Sequence, residues 1–134
     1  MRVVVHVDGG SRGNPGPAAA AAVVATPDGE VLDEAAVTLG RVTNNVAEYR
    51  GLLLGIERAR ALGATEAEFV NDSELIAHQV NGRYKVKHAD MKPLHAQALE
   101  ALGAFERWSL RPVRREHNAD ADALVNQALD SQQS

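Results

Sequence analysis

The chain has 134 residues, 45% of them hydrophobic, and no cysteine, which fits one buried core and excludes both a disulfide framework and a cysteine-ligated zinc site. No apolar run approaches the ~20 residues of a membrane helix, and the start lacks a basic segment leading into a long apolar one, so the expected location is the cytoplasm. Fourteen basic against 18 acidic residues give a net charge of −4, the wrong balance for a phosphate-tracking protein, which ordinarily shows a basic patch.

The first element expected is a strand. Val3, Val4, Val5 and Val7 form a β-branched run suited to a buried central strand that ends on Asp8. Gly9, Gly10, Gly13 and Gly16 follow and permit close backbone approach, and Asn14-Pro15-Gly16-Pro17 reads as a type II turn. A nucleotide-binding loop is excluded, because there is no G-x-G-x-x-G or G-K-[ST] and the next segment is strand-like. Residues 18–26 and 31–39, joined by Pro27-Asp28-Gly29-Glu30, predict a hairpin; the alanines at 18–22 also suit a helix by propensity, but prolines at both ends leave it little room.

From Asn45 the period changes to helical, with Leu52, Leu53, Ile56 and Ala59 marking a helix that ends near Gly63. A short strand over 66–71, a helix from Asp72-Ser73 to about Val80, a basic irregular stretch over 83–90, a helix over 91–105, a strand over 106–114 and an amphipathic helix over 118–129 complete the order β-β-β-α-β-α-α-β-α. Three meandering strands followed by strands alternating with helices imply a mixed sheet covered by helices. The expected organisation is a single domain over residues 1–130, with a frayed, disordered tail at 131–134.

Four carboxylates stand out. Glu48 lies one turn into the first long helix on the face of Leu52, Gly55, Ile56 and Ala59; its ordinary reading is a capping box with Asn45 as N-cap. Asp72 follows an apolar strand, where an N-cap role competes, although Ser73 could fill it. Asp122 sits in the first turns of the last helix, where acids complement the macrodipole. Together with Asp8 they occupy ends of neighbouring strands and starts of helices that pack on them. Clustered carboxylates repel, and persist only with raised pKa values or bound cations. Oxygen ligands without cysteine favour magnesium or manganese, and two such ions ~3.5–4 Å apart are suited to phosphodiester hydrolysis.

Taken together, Asp8-Gly9-Gly10-Ser11-x-Gly13-Asn14-Pro15-Gly16-Pro17, Thr43-Asn44-Asn45-x-Ala47-Glu48-Tyr49, Asp72-Ser73 and Asn118-x-x-Ala121-Asp122-x-Leu124-x-Asn126 resemble type 1 ribonuclease H, in that family's order and over nearly the whole chain. The resemblance implies an α/β ribonuclease H-like fold: a five-stranded mixed sheet, three strands in an antiparallel meander plus two parallel ones, flanked by helices. It implies a metal-dependent endonuclease that cuts the RNA strand of RNA–DNA hybrids, leaves 5′-phosphomonoesters and uses two Mg2+ ions, with Mn2+ as a substitute. Asp8, Glu48, Asp72 and Asp122 match the catalytic metal ligands. Gly9, Gly10, Asn14 and Asn45 match positions that meet the RNA 2′-hydroxyls or minor groove, and Thr43 matches a DNA phosphate contact. Ser11 and Asn44 complete the expected nucleic-acid-binding set. The charge objection then dissolves, since setting the four site acids aside leaves 14 acids against 14 bases.

The chain also departs from the family pattern. Only Arg83, Lys85, Lys87 and Lys92 stand where many relatives carry a basic protrusion, and Arg114-Arg115-Glu116-His117 replaces a glycine- and histidine-containing loop before the last helix, as in the shorter bacterial and archaeal branch. Arg115, His117 and Asn118 are therefore auxiliary candidates. His6 is expected on the strand, facing solvent or under a helix; His78, His88 and His95 show no ligand spacing, and Trp108 reads as core. Within the final helix Asp120 and Asp122 point about 200° apart at ~100° per residue. Asp122 lies about 70° from the mean direction of Leu124, Val125 and Leu129, against about 130° for Asp120, so Asp122 borders the core side. The expected form is a monomer acting on a hybrid, with no membrane partner. Alternatives from the sequence are a ribonuclease that also cuts double-stranded RNA, which presents the same 2′-hydroxyls, a catalytically weak nucleic-acid-binding module, and a domain of a longer protein.

Overall fold

A computed structural model describes residues 1–133, with side chains described through Ser131. The elements are β1 (Arg2–Ser11), β2 (Gly16–Ala25), β3 (Val31–Val42), α1 (Asn44–Ala61), β4 (Glu66–Asn71), α2 (Glu74–Val80), α3 (Lys92–Leu102), β5 (Arg107–Pro112), a 3₁₀ turn (Arg115–Asn118) and α4 (Ala119–Gln133). They form one mixed sheet in the order β3-β2-β1-β4-β5, antiparallel from β3 to β1 and parallel from β1 to β5. No helix among the described residues is long and apolar enough to cross a membrane.

β2 is a strand, not a helix, and its alanines explain why. Ala18 to Ala21 are fully enclosed, with Ala22 and Val24 in the core on the α1 side and Ala19 and Ala21 against Val125 and Leu129 of α4 on the other. A strand covered on both faces by helices needs small side chains on both faces, and the helical propensity of alanine is overridden by that burial. The larger core lies on the α1 side, where Val3, Val5, Val7, Leu52, Ile56 and Phe69 are buried together. Each such side chain contributes about 1.5–3 kcal/mol when buried in full. Trp108 is half-buried and packs against this core.

α1 lies unusually close to β1. A Cβ on Gly51 would stand 2.4 Å from the Asp8 carbonyl oxygen, and one on Gly9 would stand 2.0 Å from the Ala47 carbonyl oxygen. Helix and strand therefore touch backbone to backbone, at positions where any side chain would force them apart. At the other end of α1, Arg58 donates to Asp33 of β3 through Nε (2.6 Å) and Nη2 (3.0 Å), a two-pronged tie.

Several local expectations are revised. β1 continues three residues past Asp8, because Gly9, Gly10 and Ser11 remain paired with Ala20, Ala19 and Ala18; its pairing with the parallel β4 stops at His6–Val70, so Asp8 stands just beyond that ladder. The turn at 14–17 is not type II: the Asn14–Pro15 peptide is cis, the positive φ (112°) falls on Gly13, and Gly16 already belongs to β2. α1 is capped by Thr43, whose hydroxyl accepts from the Val46 amide, and not by Asn45. α4 runs to Gln133, beyond the expected end at Leu129, so residues 131–133 are helical; Ser134 lies outside the described residues.

Candidate active site

Three elements deliver three acids to one point. Asp8 comes from β1, Glu48 from the first turns of α1, and Asp72 from the residue after β4. One carboxylate oxygen from each lies within 4.8 Å of the others, the only group of this kind among the described residues. Asp8 is 5% exposed and Glu48 7%. The capping reading of Glu48 fails because the Thr43 cap places Val46 at the third helical position; the Glu48 Oε1 instead accepts from the Gly9 amide at 2.9 Å. The N-cap reading of Asp72 fails too, since the Ser73 hydroxyl caps α2 by accepting from the Ile76 amide at 3.3 Å. Neither acid is consumed by helix termination.

The electrostatics follow from this crowding. Burial, then the charges of Asp72 and Asp122, raise the Asp8 pKa to about 7, against a hydrogen bond with Glu48 and the Gly9 amide that lower it. Burial and the charges of Asp8 and Asp72 raise Glu48 well above the usual carboxylate range. Without a cation both carboxyls are pushed toward their protonated forms. An all-oxygen donor set whose members cannot all ionise unaided is what a hard divalent cation compensates, so these residues fit such an ion.

Asp122 stands outside the trio, on the wall of the same cleft of about 610 Å3. Its Oδ1 lies 3.3 Å from Nη2 of Arg115, an exposed pair that raises the guanidinium pKa further. Asp120 is exposed and faces a separate hollow with His6, Glu116 and His117. Of the other expected residues, Gly9, Gly10, Ser11, Asn44, Asn45 and Arg115 line the cleft. Asn14 and Thr43 do not; Asn14 Oδ1 accepts from the Asn44 amide while Asn44 Oδ1 accepts from the Ser11 amide (both 3.0 Å), tying the glycine loop to the start of α1. His117 turns away from the cleft, and Asn118 is buried beside it. Arg12, Asn126, Val125 and Leu129 line the cleft without having been expected there. Arg12 had one signal, a lone cation inside the glycine loop, and Asn126 had its place four residues after Asp122. Asn45 also borders a second groove of about 580 Å3 walled by Arg83, Tyr84, Lys85, Lys87 and His88.

The family described as reverse transcriptase-like matches residues 6–128 of this chain, a span that holds all four acids. The chain belongs to the reverse transcriptase-like family, of the ribonuclease H type. A bifunctional protein of Mycobacterium tuberculosis is 51% identical over 132 residues, covering 98% of this chain and 36% of the relative, so the chain spans about a third of that protein's length. The crystal structure of RNase H1 from the halophilic archaeon Halobacterium salinarum superposes with a TM-score of 0.95 at 41% identity, covering 98% of this chain and 99% of the other. LC11-RNase H1, solved in complex with an RNA/DNA hybrid, gives 0.94 at 37% identity, covering 98% and 99%. The sheet of this ribonuclease H-type domain is the five-stranded mixed one, an antiparallel meander plus two parallel strands, that the resemblance implied.

Proposed function

We propose that this ribonuclease H-type domain is an endonuclease hydrolysing the RNA strand of RNA–DNA hybrids, with Asp8, Glu48, Asp72 and Asp122 holding two Mg2+ ions, replaceable by Mn2+. The observation that carries the reading is the convergence of three acids from β1, α1 and the end of β4 within 4.8 Å. When bound, such ions supply Lewis acidity toward the attacking water and the leaving oxygen of the phosphodiester. The chain's own residues prepare the site. The Gly9 amide fixes one oxygen of Glu48, holding that carboxyl beside Asp8. The ties among Ser11, Asn14 and Asn44 hold the glycine loop where backbone can approach a minor groove closely. Gly9, Gly10 and Asn45 line the cleft beside the acids, suited to reading 2′-hydroxyls. Similarity to a structure solved with an RNA/DNA hybrid supports the substrate class.

The test is incubation of the chain with end-labelled hybrid, duplex RNA and duplex DNA, with and without magnesium. The expected outcome is internal cleavage of the hybrid's RNA strand, leaving 5′-phosphates, abolished by EDTA. Vigorous hybrid cleavage in excess EDTA would falsify the metal reading, and equal cutting of duplex RNA would widen the substrate class to any A-form minor groove.

A further inference from the structure

Side chains alternate along β1, so His6, Asp8 and Gly10 share the face turned toward the 3₁₀ turn and α4. Each meets a different part of that segment. At one end, the half-buried His6 ring lies with Nδ1 3.1 Å from Oδ1 of Asn118. At the other, a Cβ on Gly10 would lie 3.6 Å from Val125 Cγ1, an ordinary packing distance. Between them Asp8 and Asp122 both face the acidic cleft, two like charges with nothing of their own to hold them together.

The Asn118 contact is specified atom by atom. Its Nδ2 donates to the Val7 carbonyl at 2.9 Å, and a carbonyl only accepts, so the amide orientation is settled. Oδ1 must then face His6, and the hydrogen between them belongs to the imidazole Nδ1. Asn118 is 1% exposed, so both of its amide atoms need these partners. The result is a polar latch between the residue preceding Asp8 and the residue preceding α4, one turn of helix before Asp122.

We propose that His6 is a positioning residue of the acidic site: by donating to Asn118 it aims that amide at Val7 and so sets the separation of Asp8 and Asp122 against their mutual repulsion. This rests on the reading of the cleft as a divalent-cation site. The His117, Glu116 and Asp120 side chains that share the hollow beside His6 are exposed and supply no substitute donor to Asn118 in the structure.

The experiment compares the wild-type chain with His6→Leu, which lacks the donor, and His6→Asn, whose amide nitrogen sits where Nδ1 was. Mn2+ binding is measured by calorimetry, hybrid cleavage by steady-state kinetics, and folding by circular dichroism. His6→Leu should weaken Mn2+ binding about tenfold, the scale of losing an outer partner of a metal ligand set. It should lower kcat while leaving the KM for hybrid within about twofold, the pattern of a misplaced site as opposed to a damaged binding surface. His6→Asn should recover most of both losses. Leucine and wild-type chains that bind Mn2+ alike, or an asparagine variant no better than leucine, overturn the proposal. A wild-type chain that binds Mn2+ but cuts no hybrid refutes the nuclease reading alone, since the metal titrations still decide the role of His6; one that binds no Mn2+ overturns both.

Discussion

Asp8 is the residue at which stability and function oppose each other. Its pKa is raised to about 7 in the folded chain, by burial first and by Asp72 next, from an ordinary value of 3.8. Between those two values the folded chain holds a proton that the unfolded chain has released, so without metal stability falls as pH climbs from about 4 through 7. The Glu48 shift has the same sign. Asp8→Asn should therefore abolish magnesium-supported cleavage and raise the metal-free stability at pH 8 by about 1 kcal/mol or more, with little change at pH 4. Thermal melts in EDTA at both pH values check this; a variant destabilised at pH 8 would show that the hydrogen bonds Asp8 makes outweigh the burial and repulsion of its charge. Asp120 and Asp122 make a second contrast. Asp122 is on the cleft wall and Asp120 outside it, so Asp122→Asn should reduce single-turnover cleavage by about 100-fold or more, a rise of roughly 3 kcal/mol in the barrier, and Asp120→Asn should change it little.

At the scale of elements, the site depends on how closely α1 can approach β1. Glu48 reaches the Gly9 amide only because Gly9 and Gly51 let the two backbones touch. Gly51→Ala places a methyl group 2.4 Å from the Asp8 carbonyl oxygen, a backbone atom that cannot swing aside. The expected cost is about 1–3 kcal/mol, typical of overpacking, despite the better helical propensity of alanine. Urea denaturation measures it, and a neutral or stabilising outcome would mean that α1 shifts freely. The same displacement should weaken metal binding, because it carries Glu48 away from Asp8.

On the scale of the whole molecule, four of the acids gather in one cleft while the groove beyond Asn45 carries Arg83, Lys85 and Lys87. These few cations predict a modest dependence of hybrid binding on salt, with a log–log slope of magnitude about 3, given roughly 0.9 per phosphate neutralised. Fluorescence anisotropy across a salt series gives the slope directly; a magnitude near 8 would require phosphate contacts beyond this groove. Replacing Lys85 and Lys87 together with alanine should weaken binding and shrink the slope by up to about 2, while the same strand is cut at the same bonds.

Much of this was legible in the order of residues alone. The change from period-2 to helical spacing at Asn45 marked the meander apart from the helix that follows, and the four acids, each explicable alone by an ordinary structural role, stood out only jointly, at ends of neighbouring elements and within motifs that resemble ribonuclease H. Local chemistry misassigned the first helix cap: Asn45 is the better N-cap by type, and only the path of the chain out of β3 makes Thr43 the one whose hydroxyl reaches an amide. The turn after Ser11 was misjudged for a similar reason, since its geometry is set by Asn14 holding the Asn44 amide 30 residues away. By itself, then, the sequence determined the element order and the mixed sheet, because periodicity and residue type are local properties, and it offered the four acids as candidates. Tertiary structure alone decided that Glu48 serves Gly9 instead of a cap, that Arg115 and Asp122 pair at the rim while His117 turns away, and that His6 and Asn118 join the first strand to the last helix. Those contacts link residues far apart in the chain, and their partners are chosen by packing distance, about which local spacing carries no information.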